Sequence, residues 1–135
     1  MTEIIIPDPA PVGDPRELGV NRKNTEQFIK ANPTSISLVR PNRTPNGKGG
    51  FTDGTPTDID AQTFRIIPQQ RAGIASRNVD GEKVSPVFVM IGRWDADVTS
   101  NDTFMLGGRN YSVTYVRGAG QSTAYETWVE VVYGG

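Results

Sequence analysis

The chain has 135 residues, 36% of them hydrophobic, with a net charge of −1 and neither Cys nor His. That length predicts one domain that buries roughly two-thirds of its unfolded surface. The missing Cys excludes disulfides and zinc–thiolate sites within the chain, and the missing His removes the commonest acid–base and metal-ligating side chain.

Charge is unevenly spread. Residues 16–48 carry Arg16, Arg22, Lys23, Lys30, Arg40, Arg43 and Lys48 against Glu17 and Glu26. Residues 94–135 carry Asp95, Asp97, Asp102, Glu126 and Glu130 against Arg109 and Arg117. A basic end and an acidic end fit either ordinary solvated faces or head-to-tail contacts between subunits.

In chain order, residues 1–15 hold Pro7, Pro9, Pro11 and Pro15. Repeated proline opposes a helix and predicts an extended N-terminal arm ahead of a β-domain at 16–135. Its apolar run, Ile4–Ile6, suits addition to a sheet edge. With no basic segment and so short an apolar run, the expectation is no signal peptide. No stretch approaches the ~20 residues of a membrane helix.

Residues 22–31 are the one predicted helix, with Asn24 as N-cap, Gln27 three residues on, and Asn32-Pro33 as the stop. TSISLVR at 34–40 alternates Ile36 and Leu38 on one face and predicts a half-buried strand. The stretch 41–62 has three Pro, four Gly and no period, and predicts a long irregular loop.

TFRIIP resumes a strand, which Pro68 puts at an edge or ends. Asp80-Gly81 predicts a hairpin turn. The apolar run at 87–91 predicts a strand covered on both faces. TFML and YSVTYVR flank Gly107-Gly108-Arg109-Asn110 as a hairpin, with Tyr111, Val113 and Tyr115 on one face. The final strand is apolar on both faces, Tyr125, Thr127, Val129, Val131 and Tyr133 on one and Trp128 and Val132 on the other. The predicted fold is mainly β: five or six strands and one short helix in a small closed barrel or tight sandwich, with a long loop at 41–62.

No motif carries chemistry. Gly47-Lys48-Gly49-Gly50 lacks the spacing and the strand–helix context of a phosphate loop. Asp95, Asp97, Thr99, Asn101 and Asp102 alternate oxygens, but an EF-hand needs Gly and Glu where Ser100 and Leu106 stand. No carboxylate pair lies in an apolar run, and no G-x-S-x-G elbow occurs. The expectation is no enzyme, no catalytic residue, no metal site and no cofactor. A small barrel binding single-stranded nucleic acid needs aromatics on a basic face. Here Tyr111, Tyr115, Tyr125, Trp128 and Tyr133 fall in the acidic third, which points to core and subunit-interface roles instead.

The order of segments over residues 20–135 resembles the head-closure, or stopper, type of head-to-tail connector from long-tailed phages of actinobacteria. The most specific piece is IGRWDADVTSNDTFMLGGRNYSVTYV, with Asp102, Phe104, Gly108, Tyr111 and Val113 spaced as D-x-F-x-x-x-G-x-x-Y-x-V. The resemblance implies a β-barrel subunit of a homo-oligomeric ring in the virion neck, assembled in the host bacterial cytoplasm. The head-tail adaptor would lie above it and the tail terminator or tail tube below, with no membrane involved. It also implies a loop that projects into the channel, closes it over packaged double-stranded DNA and opens on ejection. By position that loop is 41–62, with Arg43, Asn46, Lys48, Phe51, Asp53 and Asp58 as candidate gate residues. Phe104, Gly107, Gly108 and Tyr111 would be the structural hairpin. The alternatives are a terminator or adaptor of the same neck, or a small single-strand-binding barrel.

Overall fold

The structure is a computed structural model that describes residues 15–45, 47–68, 77–79, 82–84 and 86–134. The helix α1 spans Pro15–Ala31, about two turns longer at its start than the sequence predicts. Proline is compatible with the first helical position, where its missing N–H would have no partner anyway. Asn24 is therefore mid-helix and exposed rather than an N-cap. Glu17 in the first turn and Lys30 in the last suit the helix dipole. The predicted arm up to residue 14, Asn46 and the Asp80-Gly81 turn lie outside the described residues.

Six short strands follow: β1 Thr34–Ile36, β2 Val39–Arg40, β3 Arg43–Pro45, β4 Phe51–Asp53, β5 Thr57–Asp58 and β6 Gln62–Pro68. They are the pieces of one long antiparallel hairpin. Thr34 pairs with Phe64 and Ile36 with Gln62. Ile59 N–H donates to Leu38 O at 2.9 Å, and Val39 then pairs with Asp58. Gly54 N–H donates to Asn42 O, and Arg43 pairs with Asp53 and Pro45 with Phe51. The returning strand carries one extra residue near Asp60-Ala61 and a second near Thr55-Pro56, so the ladder is broken by two bulges. The region 41–62 is thus not an irregular loop. It is the outer half of a hairpin, and positive φ at Gly47 and Gly49 marks the turn at 47–50.

The small strands β7 Arg77–Val79 and β8 Glu82–Val84 pair with each other. Four more strands complete the fold: β9 Phe88–Arg93, β10 Thr103–Leu106, β11 Arg109–Arg117 and β12 Glu126–Tyr133. The main sheet is antiparallel in the order β1-β6-β9-β12-β11-β10-β2-β5. The β1–β6 pair at one end and the β2–β5 pair at the other belong to one hairpin, because only Ser37 and Leu38 separate β1 from β2. The sheet therefore curls until β10 meets β2 at Thr103↔Val39. Taken as continuous segments, 34–40, 57–68, β9, β12, β11 and β10 make a curled, barrel-like sheet of six, within the five or six strands in a barrel or sandwich that the sequence predicts.

The barrel interior holds Ile36, Leu38, Phe64, Phe88, Met90, Phe104, Val113, Val129 and Val131, with Val98 capping it from the β9–β10 connection. β9 is covered on both faces, as its unbroken apolar run requires. Phe88 and Met90 point inward, while Val89 and Ile91 pack outward against Ile29 of α1, with Trp128 beside them. The outer cover of β9 comes from this chain's own helix. A bulge between Val113 and Tyr115 changes the facing in β11. Val113 and Val116 face the core, and Tyr115, opposite Glu130, does not share their side.

Candidate functional site: the hairpin arm and its base

The outer part of the hairpin stands apart from the barrel sheet, as does the small β7–β8 pair. Among the described residues β3 and β4 pair only with each other. Arg43 and Asp53 face each other across this ladder at 3.6 Å, with side chains 65% and 83% exposed. So exposed a pair contributes little. Lys48 lies in the exposed turn, and Asp58 lies farther back in β5, beside the barrel. Phe51 lies in β4. Arg43, Lys48 and Asp53 thus come together on the arm, whereas Asp58 belongs to its base.

The base is clamped by residues the sequence reading did not single out as a site. Arg40, the last residue of β2, donates from Nε and Nη2 to Asp102 Oδ1 and Oδ2 at 3.1 and 3.0 Å. Its Nη2 also meets Asp97 Oδ1 at 2.9 Å. Asp102 is fully buried, and Thr99 supplies two further donors, its N–H at 2.8 Å and its hydroxyl at 3.1 Å. These hydrogen bonds, foremost the one to Asp102, raise the Arg40 pKa above its ordinary value. From the returning strand, Gln62 grips the same connection. Its amide donates to Asp97 O at 2.9 Å and accepts from Asp97 N–H at 2.7 Å. Both strands of the arm are therefore tied to residues 97–102. Part of the charge imbalance between the two ends of the chain is consumed inside the molecule in this way.

At one end of the barrel lies the hairpin of β10 and β11. Gly107 and Gly108 have φ of 59° and 79°, the pair of positive values that a two-residue type I′ turn requires. Leu106 pairs with Arg109, so the turn is two residues long and Arg109-Asn110 already belong to the strand. Phe104 stacks on Tyr111 at 5.3 Å, Phe88 meets Tyr111 edge-on at 5.0 Å, and Tyr111 stacks on Tyr133 at 5.6 Å. Three of these four rings fill the barrel end rather than line an open face. That geometry is unlike the stacking platform of a single-strand binder.

The helix is held by three arginines. Arg22 donates to Ala124 O and Ser122 O at 2.9 and 2.8 Å and lies over the Trp94 ring. Arg65 caps Phe28 O and covers its ring. Arg93 meets Glu26 at 2.6 Å and Asp95 at 3.0 Å. The Arg93 hydrogen bond lowers the Asp95 pKa below its ordinary value. Burial raises the Glu126 pKa, against a smaller opposing effect of Arg117. Glu130 is fully buried and accepts from the Trp128 indole at 2.9 Å. Its place between Trp128 and Val132 on one strand face was the signal of that burial.

No group of three or more carboxylates among the described residues is arranged to hold a metal ion. No described helix is long and apolar enough to cross a membrane. No protein-family model matches the chain, and no curated protein matches it.

Proposed function

We propose that this protein is a stopper-type head-to-tail connector of a long-tailed phage, a ring subunit whose hairpin arm reaches into the DNA channel. The observation that carries the reading is the arm itself: a two-stranded extension, paired with nothing else in the described chain, on a barrel that anchors its root from both strands. The resemblance over residues 20–135 supplies the channel and the neighbours, an adaptor above and the tail below. The arm's chemistry suits a gate. It sets Arg43 and Lys48 against Asp53, a net charge of only +1, so it meets DNA phosphates without the large basic surplus that would hold them.

The test is a phage that carries a shortened arm. Replacing residues 43–53 by a two-residue Asn-Gly turn leaves the Arg40↔Thr57 pair and the clamp in place. Loop length itself costs little, so the barrel should fold. Particles with the short arm are expected to assemble the neck and lose packaged DNA. Particles that keep their genome as well as the parent would refute the gate role and leave the arm as a docking element between rings.

A further inference from the structure

The arm is not uniform along its length. Its base, β1 and β2 against β5 and β6, belongs to the barrel sheet, while its outer part, β3 against β4, is a separate two-stranded ladder. Between them the ladder is interrupted. Only Pro41 lies between Arg40 and Asn42, whereas Thr55 and Pro56 lie between Gly54 and Thr57. The extra residue is a bulge, and neither proline has an N–H to donate, so two of the three residues at the break cannot support cross-strand pairing. On the inner side of the break the chain is fastened by Arg40 to Asp97 and Asp102, and by Gln62 to Asp97. On the outer side the tip is self-contained, closed by Gly54 N–H to Asn42 O at 2.6 Å. A cleft of about 300 Å³ opens beside the break, between Pro41, Arg43 and Pro56 of the arm and Asn101, Thr103 and Ser112 of the barrel.

We infer that the β3–β4 ladder, with Asn42 and Gly54 at its root, is a rigid lever that pivots at Pro41 and Thr55-Pro56 on a fixed base, swinging toward and away from the cleft beside Asn101 and Thr103. The purpose of the swing rests on the stopper reading, but the pivot does not. Rotation at the break costs no ladder hydrogen bond donated from Pro41 or Pro56, because neither carries an N–H. Rotation at the base would break the buried Asp102 contacts. Motion is therefore confined to one point in a chain segment whose two halves each stay folded. In a channel, such a lever moves its whole tip without unfolding, unlike a flexible loop.

Spin-label distance measurements on the free full-length chain test this, since the absence of Cys leaves introduced labels unambiguous. One label goes at Met105→Cys, exposed on β10. The second goes at Thr52→Cys on the lever or at Thr57→Cys on the base, both exposed. The lever pair should give a distance distribution at least about twofold wider than the base pair. Equal widths would overturn the pivot. A second variant deletes Thr55 and carries Pro41→Val and Pro56→Val, which removes the bulge and restores both donors. It should narrow the lever distribution to that of the base, and an unchanged width would also overturn the proposal. Should that variant fail to fold, the first comparison decides alone. A rigid arm in a genome-leaking phage would refute the pivot and keep the gate, and a pivoting arm in a phage that retains DNA would do the reverse.

Discussion

Arg40 and Asp102 are 62 residues apart in sequence and form a two-pronged ion pair across the line where β2 meets β10. The only described strand pairing on that line is Thr103↔Val39, each residue a direct neighbour of the pair. The side chains thus do there what the backbone ladder does elsewhere in the barrel.

Removing either partner should be costly. Asp102→Ala takes the acceptor from Arg40 and from the Thr99 N–H and hydroxyl, and should cost about 2–4 kcal/mol in urea unfolding. Arg40→Ala leaves a buried carboxylate without its cation and should cost at least as much. Because Asp102 is fully buried and Arg40 is 28% exposed, Asp102→Asn should be the mildest of the three. An Asp102→Ala variant within about 0.5 kcal/mol of the parent would remove the pair from the account of the fold.

Two glycines separate backbone strain from collision. Gly108 has φ of 79° with open space around an added Cβ. Gly108→Val should cost roughly 1–3 kcal/mol from conformation alone, and Gly108→Asn much less. Gly118 has φ of 100°, and a Cβ there would run into the Glu126 carbonyl. Gly118→Ala should therefore lower the melting temperature more than Gly108→Ala. The opposite order would mean that the start of β12 yields easily.

Trypsin should distinguish a hairpin arm from an unstructured loop. Arg43 is paired within β3, and Arg40 precedes a proline and is held by two carboxylates. Lys48 lies in the turn between Gly47 and Gly49. Among the arm's basic residues the first cut should fall after Lys48 and leave the barrel intact. Simultaneous cutting at Arg43 and Lys48, read by mass spectrometry, would show that the β3–β4 ladder is open in solution.

The carboxylates predict opposing pH effects. Asp95, with its pKa lowered in the fold, adds stability above its ordinary value that fades as pH falls. Glu126, with its pKa raised, does the reverse. The fold binds its proton more tightly than the unfolded chain, so stability is lost as pH rises from the ordinary value, 4.5, through the raised one. Glu126→Gln cannot ionise. Its stability relative to the parent should increase from acid to neutral pH, and a pH-independent difference in denaturation would sink this assignment.

What the sequence made legible follows from burial. The strands at 87–91 and 126–133 have apolar faces because the core and α1 cover them, and Gly107-Gly108 announces its turn through its backbone needs. The arm was invisible for the same reason in reverse. β3 and β4 have little to bury against, so no apolar alternation marks them, and their prolines and glycines imitate a loop. The first two turns of α1 were hidden because Pro15 looked like the last residue of a proline-rich arm. The Arg40 clamp left no local trace, because a contact over 62 residues has no period.

The meeting of β2 and β10 also sets an order of events in folding. The long hairpin, the β10–β11 hairpin and the β11–β12 pair each join segments close in the chain, so their loop-closure costs are modest. Val39↔Thr103 closes a far longer span for a single pair of residues. That seam should be the last part of the barrel to form, and once formed it is locked by the buried Arg40–Asp102 pair. Until that pair closes it, the folding chain passes through an open cylinder whose hairpins are already made.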